Sequence, residues 1–269
     1  MQPLSFHLHA AAVLAPGLDS LEGLRAASRG QQAIAVQPLV LPAPPQLPAA
    51  ERRRASQAVR LTLACIAQAL ASSPFDPATL RSVFATDEGT GEVCQQMLEA
   101  LATTRQLSPL LFANSVHNAP SGYFSIGWRN RQPATVVSLG LDSFACGLLC
   151  AVTDALATGQ PVLLAVCDPA LPSPLDELLP ITHSTAASFV LTAGDVPEAV
   201  PALASFELTL RSAAEVPVTP WPEWLPSAWH ANCSARALAA LGLLDQPSGS
   251  AMHFALGGQT LALRRKEGA

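Results

Sequence analysis

The chain has 269 residues, of which 49% are hydrophobic and only 13% are charged, and its formal net charge is −5 at pH 7. This length and apolar content can bury a substantial core, and the acidic balance excludes the basic surface that nucleic-acid-binding proteins use. Since about 25% of an average soluble domain is charged, the shortage of charge indicates that a partner subunit covers a large area of the surface.

The six cysteines lie mostly inside apolar patterns, which is typical of reduced cysteines that act as small hydrophobic side chains. Cys146 and Cys150 share a helix face, but no CxxC or HxxxH set accompanies them, so we expect no metal and no cofactor. The N-terminus has no basic residue before its apolar run, and Asp142 and Asp154 interrupt the longest apolar stretch. We therefore expect a cytoplasmic protein without a signal peptide or a transmembrane segment.

The first 71 residues predict a strand, a helix, a loop and a second helix. Ser5–Leu14 alternates and then runs apolar, as an opening strand does, and a short helix, Leu18–Ala27, follows the turn at Pro16–Gly17. Residues 36–49 carry five of the 24 prolines and predict an extended loop. Residues 50–71 have helical periodicity and predict one continuous helix with a basic first turn.

The middle of the chain predicts two strand-to-helix units. A strand, Ser82–Thr86, leads through a glycine-containing turn into a helix, Glu92–Thr103. Since Asp87 and Glu88 already supply negative charge at this helix start, we do not expect it to bind phosphate. The next segment, Ser108–Ile126, mixes apolar and small polar residues and predicts an irregular buried stretch that ends in a short helix.

The segment from 135 to 168 predicts a strand, a tight turn, a helix and a second strand. The first strand is Thr135–Leu139, the turn is Gly140–Ser143, the helix stops at Gly159, and the second strand is Pro161–Val166. A loop rich in proline and a strand, Thr185–Thr192, follow.

The tail from residue 193 is rich in tryptophan and proline and is less regular. It predicts one strand, one helix and a final hairpin turned by two glycines: Ser205–Arg211, Ser234–Leu244, Ala251–Leu256 and Gln259–Arg264. Strands that alternate with helices in the first 192 residues predict an α/β layered fold with a central sheet. We expect a single domain overall, made of residues 1–192 and a C-terminal extension, residues 193–269, packed on them.

The order of these elements resembles the N-terminal half of the thiolase-like β-ketoacyl synthases. The resemblance covers about residues 5–192, and no single motif decides it. It is carried by the joint order of FHLHAAAVLAPGLDSLEGLRAASRGQ, LPAAERRRASQAVRLTLACIAQAL, VFATDEGTGEV, NSVHNAPSGYFSIGWRNRQPATVVS and AASFVLT. It implies a thiolase-like layered fold equivalent to about half of a ketosynthase subunit.

Two departures from that family bear on activity. In the family a nucleophilic cysteine lies at the elbow between strand and helix, and counting back from Gly159 by the family's spacing leads to Asp142. Cys146 falls about one helical turn later. The second half of a ketosynthase carries two histidines, and the three later histidines here, His183, His230 and His253, lie in no such motif. The resemblance therefore implies no independent condensing activity.

More closely, the chain looks like the short chain-length factors of aryl-polyene and xanthomonadin-type pathways. This implies a non-catalytic subunit that pairs with an active ketosynthase, bounds the acyl or polyene tunnel, and meets an acyl carrier protein transiently. The polyketide and fatty-acid-like pathways of type II are the wider class.

The resemblance assigns roles to three groups of residues. Asp142 and Ser143 form a pseudo-active-site elbow, with a plain capped turn as the alternative. The acidic carrier protein is expected to contact Arg52, Arg53 and Arg54, unless these line a solvated helix face. The candidates for the tunnel gate and the subunit interface, for which ordinary core packing is the alternative, are Leu111, Phe112, Val116, His117, Asn118, Tyr123 and Phe144.

Two other function classes stay open. One is a homodimeric scaffold that docks carrier protein or pathway enzymes without touching the acyl chain. The other is a small hydrolase with Ser143 as its nucleophile, although the context L-D-S-F-A lacks the flanking glycines of G-x-S-x-G.

Overall fold

The computed structural model describes residues 2–194 and 200–267, and within them eight strands form one mixed sheet. The strands are β1 (Leu4–Leu14), β2 (Arg81–Ala85), β3 (Ala134–Val137), β4 (Val162–Asp168), β5 (Thr185–Ala193), β6 (Ala204–Ser212), β7 (Ala251–Leu256) and β8 (Gln259–Arg265). Their order across the sheet is β3-β2-β4-β5-β1-β6-β8-β7.

The α-helices described lie between and after these strands. They are α1 (Leu21–Ser28), α2 (Ala49–Arg54), α3 (Gln57–Ala71), α4 (Gly91–Thr103), α5 (Pro109–Asn114), α6 (Ala119–Trp128), α7 (Ser143–Thr158), α8 (Leu175–Leu178) and α9 (Cys233–Leu241).

The sheet combines a parallel part and an antiparallel part. β2 pairs in parallel with both β3 and β4, whereas β5 pairs antiparallel with β4 and with β1. β4 is buried along its whole length and has the continuous apolar sequence that is typical of a strand covered on both faces. The strand-helix alternation therefore predicts the class of fold correctly.

Helices cover both faces of the sheet. Along β4 the side chains alternate, so that Leu163 packs with α3 and α6 while Leu164 packs with α7 and α9. On the first face the apolar stripe of α3 (Val59, Leu63 and Ile66) fills the core. The elbow at the start of α7 is thus built on the second face.

The predicted single helix over residues 50–71 is wrong, since the chain breaks between α2 and α3. Ala55 has an extended backbone, with φ −61° and ψ 121°, and the hydroxyl of Ser56 accepts a hydrogen bond from the N–H of Val59 at 3.4 Å. A serine whose side chain satisfies a free amide at a helix start is a strong N-cap, so α3 begins here instead of continuing α2.

The prediction over Ser108–Ile126 is wrong for the irregular buried stretch, whereas the short helix expected at its end is confirmed as α6. The chain forms two short helices, α5 and α6, each with a proline in its first turn, where the missing N–H has no helical partner to lose. Much of this segment is exposed: Leu110, Phe112, Val116 and Ile126 are exposed large hydrophobic residues.

The described part of the C-terminal extension is mostly regular and continues the same sheet. β6 pairs antiparallel with the first half of β1, and the β7–β8 hairpin joins β6 through β8. Gly257 and Gly258 have φ values of +54° and +79°, as a two-residue hairpin turn with two left-handed residues requires. The predicted strand, helix and hairpin are confirmed to within a few residues.

One helical segment, Gly140–Thr158, is long and apolar enough to cross a membrane by length and composition. It comprises α7 and the turn before it, and 44% of it is buried inside the protein. Its inner face, with Leu148, Val152 and Ala155, is fully packed against the sheet, as in the core helix of a globular protein.

Candidate functional site: the elbow and the adjoining cavity

The turn between β3 and α7 is tight and held by its own backbone. The N–H of Asp142 donates to the carbonyl of Leu139 at 3.2 Å, and the N–H of Ser143 donates to the carbonyl of Gly140 at 3.0 Å. Gly140 has φ +58°, a left-handed conformation that favours glycine. Asp142 is the N-cap residue of α7 and Ser143 its first residue.

The hydroxyl of Ser143 is fully buried and engaged within this turn. It donates to the carbonyl of Gly140 and accepts from the N–H of Leu139, both at 2.7 Å. Among the residues that the structure describes, no histidine ring bonds to it. A serine nucleophile needs an adjacent general base, so the geometry favours a structural hydroxyl.

The carboxylate of Asp142 reaches the C-terminal hairpin. Its Oδ2 atom accepts a hydrogen bond from the N–H of Gly257 at 3.0 Å, across 115 residues of sequence. Arg236 of α9 lies close enough for its charge to interact with Asp142: burial lowers the pKa of Arg236, and the negative charge of Asp142 opposes that effect. The residue at the elbow is therefore in contact with the extension.

Phe144, a gate and interface candidate, lies in the core. Its fully buried ring stacks on Phe189 of β5 at a centroid distance of 6.0 Å and meets Phe254 of β7 edge-on at 5.2 Å. The elbow residue that follows Ser143 thus also touches the hairpin.

A buried polar network that sequence reasoning missed lies beside the elbow, around Asp168 at the end of β4. One carboxylate oxygen accepts from both the N–H and the hydroxyl of Ser234 at 2.7 Å, and the other accepts from the N–H of Asp87 at 2.8 Å. Asp168 is fully buried, and a carboxylate that ends a strand of otherwise apolar residues was a signal that could have found it.

Asp87 joins this network to the elbow. Its carbonyl accepts from the hydroxyl of Ser138 at 2.6 Å. Burial raises the pKa of the Asp87 carboxyl to about 6, and the negative charges of Asp168 and Glu88 add to the effect.

An apolar cavity of about 20 Å³ lies where β2, β3 and β4 end, beneath α3. Thr86, Gly89, Thr90 and His117 are at the polar side of its wall, and Thr62 comes from α3. The apolar walls come from Ala58, Phe84, Ala85, Pro120, Val136, Ala165 and Cys167. This volume is that of about one water molecule, so the cavity of the single chain is too small for a long acyl group.

Of the gate and interface candidates, His117 alone lines this cavity. Phe112, 64% exposed, Val116 and Asn118 are at the surface, and Leu111 is partly exposed. Tyr123 is partly buried against the core of α3 and α6. The structure thus brings the exposed His117 to the cavity, places Phe112 and Val116 outward, and buries Phe144 in the core.

The three arginine candidates lie on α2 and differ in exposure. Arg53 and Arg54 are exposed, whereas Arg52 is partly buried. Arg54 lies 3.6 Å from the carboxylate of Glu51 in an exposed pair, which is worth little stability. Arg53 and Arg54 are therefore accessible to a partner.

The cysteines are all reduced, and within residues 2–194 and 200–267 no three His, Cys, Asp or Glu side chains are arranged to hold a metal ion. Cys146 and Cys150 are partly buried on α7. Burial raises the pKa of Cys150 to about 11, and the neighbouring Cys146 adds to this. The thiolate that a nucleophile requires is therefore disfavoured at Cys150.

A family model described as the β-ketoacyl synthase N-terminal domain matches residues 26–239, from α1 to α9. The chain belongs to this family. The match includes the elbow, so Asp142 lies in a β-ketoacyl synthase domain at the turn between strand and helix. No curated protein sequence matches the chain significantly.

Solved structures of ketosynthases have the same fold. Chains similar to this β-ketoacyl synthase domain occur in the complex of the ketosynthase ApeO with its chain length factor ApeC from Xenorhabdus doucetiae (TM-score 0.72, 24% identity, 97% of this chain and 100% of that chain). A second is the complex of a type II PKS acyl-carrier protein with its ketosynthase, AntDE:AntF (TM-score 0.74, 12% identity, 98% of this chain and 99% of that chain). A third is the ishigamide ketosynthase/chain length factor (TM-score 0.70, 14% identity, 98% of this chain and 100% of that chain). At these identities the likeness shows the fold alone.

Proposed function

We propose that this β-ketoacyl synthase domain is a non-catalytic chain-length subunit that pairs with an active ketosynthase. The observation that carries the proposal is the elbow. The family's spacing leads to Asp142 for the nucleophile; the carboxylate of Asp142 accepts a hydrogen bond from Gly257, and the adjacent Ser143 hydroxyl is buried and engaged within the turn. A condensing enzyme needs a thiolate nucleophile here, and this elbow offers none.

The surface supports a role as a partner subunit. The exposed large hydrophobic residues include a group on α4, α5, α6 and their connections, which we term the α4–α6 surface: Leu98, Leu101, Leu107, Leu110, Phe112, Val116 and Ile126. Apolar groups at this density on one part of a charge-poor surface mark a protein–protein interface.

The two edges of the sheet also favour the α4–α6 surface as the site of a partner, because the β7 edge is covered and the β3 edge is open. The outer edge of β7 is covered, because the N–H of Thr219 donates to the carbonyl of His253 and the N–H of His253 donates to the hydroxyl of Thr219, both at 2.9 Å. Prolines 217, 220, 222 and 226 surround this covering segment. β3 pairs only with β2 among the described strands, and its Val136 packs in the same cluster as Phe124 of α6. An open edge beside the α4–α6 surface is available to a partner.

The finer parts of the proposal concern substrate and pathway. The cavity lined by His117 would end an acyl or polyene tunnel that forms with the partner, and Arg53 and Arg54 would meet an acidic carrier protein. An aryl-polyene or related pathway in the cytoplasm fits the likeness to the chain length factor complexes. We also propose that residues 1–192 are the ketosynthase-like part of the chain and that residues 193–269 are an extension packed on it.

Co-expression with an active ketosynthase tests the proposal. We expect the two chains to co-purify, and intact-mass measurement after incubation with an acyl carrier protein loaded with an acyl group should show acylation of the partner alone. The same incubation with this chain by itself should leave its mass unchanged. Acylation of this chain, or failure to bind any ketosynthase from the same pathway, would overturn it.

The α4–α6 surface equally supports a second candidate, a homodimeric scaffold that holds carrier protein or pathway enzymes. The two candidates differ at the tunnel. Enlarging or shrinking His117, which lines the cavity, should change the product length only if this chain bounds the tunnel. The scaffold predicts an unchanged product and a symmetric dimer in sedimentation. The third class, a hydrolase, predicts ester turnover that is lost in Ser143→Ala.

A further inference from the structure

We infer that the C-terminal hairpin is latched onto the elbow and that Asp142 is the positioning residue that holds it there. Asp142 then has a present structural task, instead of only marking a lost nucleophile. This inference concerns contacts within the chain and does not rest on the proposed function.

The first contact is the hydrogen bond between the Asp142 carboxylate and the N–H of Gly257. Gly257 and Gly258 form the tip of the β7–β8 hairpin, and a Cβ built on either glycine meets no atom within 4 Å. The backbone N–H of the tip is thus the group that meets the elbow. The bond is exposed to solvent, and its charged acceptor makes it stronger than a bond to a neutral acceptor would be.

The second contact is aromatic. Phe254 of β7 meets the ring of Phe144 edge-on at 5.2 Å, and Phe144 in turn stacks on Phe189 of the central sheet. All three rings are buried. The hairpin is therefore fastened to two adjacent parts of the elbow, a polar one at Asp142 and an apolar one at Phe144.

A third influence on the elbow is electrostatic and comes from α9, without a direct ion pair. Arg236 is partly buried, its guanidinium lies 5.1 Å from the centre of the Trp221 ring, and its Nε atom has no hydrogen-bond partner among the described residues. The charge of Asp142 is the largest compensating influence on this cation. Removing that charge takes away the largest of the influences that offset the burial of this guanidinium.

These contacts give a structural reason for an aspartate at the position to which the family's spacing leads. A thiol is a weak hydrogen-bond acceptor and is neutral near pH 7 unless its pKa is lowered. Asp142→Cys would therefore restore the side chain of the nucleophile but lose both the bond to Gly257 and the charge that faces Arg236. The latch predicts that this substitution loosens the hairpin.

Amide hydrogen exchange of the full chain, followed by NMR, tests the latch. In Asp142→Ala we expect the Gly257 amide to exchange about tenfold faster or more than in the wild type, with smaller increases along β7 and β8. Asp142→Asn keeps a carbonyl acceptor, so its Gly257 amide should exchange at a rate between those of the wild type and Asp142→Ala. Asp19→Ala, which removes an exposed aspartate before α1, is the matched control and should leave the hairpin unchanged.

A second variant covers the case in which Asp142→Ala does not fold. Phe254→Leu keeps an apolar side chain but removes the ring that meets Phe144, and the latch predicts faster exchange at Gly257 and at the amide of Asp142 together. Unchanged exchange at Gly257 in Asp142→Ala and in Asp142→Asn would overturn the inference. So would equal effects of Asp142→Ala and Asp19→Ala, or exchange in Phe254→Leu that rises at neither residue.

Discussion

The carboxylate of Asp168 accepts hydrogen bonds from both the N–H and the hydroxyl of Ser234, each at 2.7 Å. Asp168 ends β4, and Ser234 is in the first turn of α9, so one buried side chain joins the central sheet to the C-terminal extension. The helix start supplies free N–H groups and a favourable dipole for the negative charge. The same carboxylate also holds the turn at Asp87, which continues to the elbow through Ser138.

We expect Asp168→Ala to lower the free energy of unfolding by about 3 kcal/mol or more, because it leaves several buried donors without an acceptor. Asp168→Asn keeps one acceptor oxygen and should lose less. Urea denaturation followed by tryptophan fluorescence measures both. Asp154→Ala is the control: Asp154 pairs with Arg81 at 2.8 Å near the surface and should cost about 1 kcal/mol or less. Equal losses at positions 168 and 154 would contradict the network.

Asp87 makes a pH-dependent contribution whose sign follows from its raised pKa. The folded protein holds the Asp87 proton up to about pH 6, whereas the ordinary value is 3.8. The protonated side chain therefore contributes stability that is fully present below pH 3.8 and is lost as the pH rises through about 6. Asp87→Asn has no such titration, so its stability should fall less than that of the wild type between pH 4 and 6.

Urea midpoints at half-unit steps from pH 4 to pH 7 give the difference between wild type and Asp87→Asn. We expect Asp87→Asn to be the more stable of the two at pH 7, where the wild-type carboxylate is charged beside Asp168 and Glu88. Asp19→Asn, at an exposed position, should follow the wild-type curve. Parallel curves for the wild type and Asp87→Asn would show that Asp87 does not titrate in this range.

The sequence predicts the strands and the helices that bury one face, because their apolar residues must recur at the period with which that face meets the core. β4 and α7 are in this class, and both begin and end within two residues of their predicted bounds. The break between α2 and α3 escaped prediction, because the apolar period continues across Ser56 and only its N-cap geometry ends the first helix. α5 escaped because its large apolar residues Leu110 and Phe112 are exposed, where no periodicity is enforced, whereas α6, which buries Phe124, is the short helix expected at the end of this segment.

The site was predictable only in part. The elbow itself follows from Gly140 and Gly159, whose left-handed backbones delimit the turn and the helix. The contact between Asp142 and Gly257 spans 115 residues, and nothing in the local pattern of either residue specifies the other. Likewise, the two hydrogen bonds from Ser234 to Asp168 depend on where the C-terminal extension packs against the end of β4. Neither the composition nor the hydrophobic periodicity of the sequence specifies that position.

The α4–α6 surface should carry much of the affinity for a ketosynthase partner. We expect Phe112→Ser to weaken the complex by about 2 kcal/mol or more, roughly a thirtyfold rise in Kd, as for a buried aromatic anchor. Isothermal titration of the purified chain into the partner measures this. Val40→Ser, at a residue that is 84% exposed in the proline-rich loop, is the matched control and should change Kd less than twofold. Equal Kd values for both variants would place the interface elsewhere.

Two helical glycines should respond oppositely to the same substitution. A Cβ on Gly147, inside α7, would lie 2.9 Å from the Cβ of Ala85 and 3.2 Å from Leu164, both on strands beneath the helix. Alanine gains up to about 1 kcal/mol of helix propensity, but overpacking against rigid strands costs about 1–3 kcal/mol. We therefore expect Gly147→Ala to lower the free energy of unfolding.

Gly122 in α6 supplies the matched case, because a Cβ there meets no atom within 4 Å. Only the propensity term applies, so Gly122→Ala should raise the free energy of unfolding by up to about 1 kcal/mol. Urea denaturation of the two variants side by side separates the cost of overpacking from the gain in helix propensity, since the gain is common to both. If Gly147→Ala were as stabilising as Gly122→Ala, then α7 would not lie against β2 and β4 as closely as the distances to Ala85 and Leu164 require.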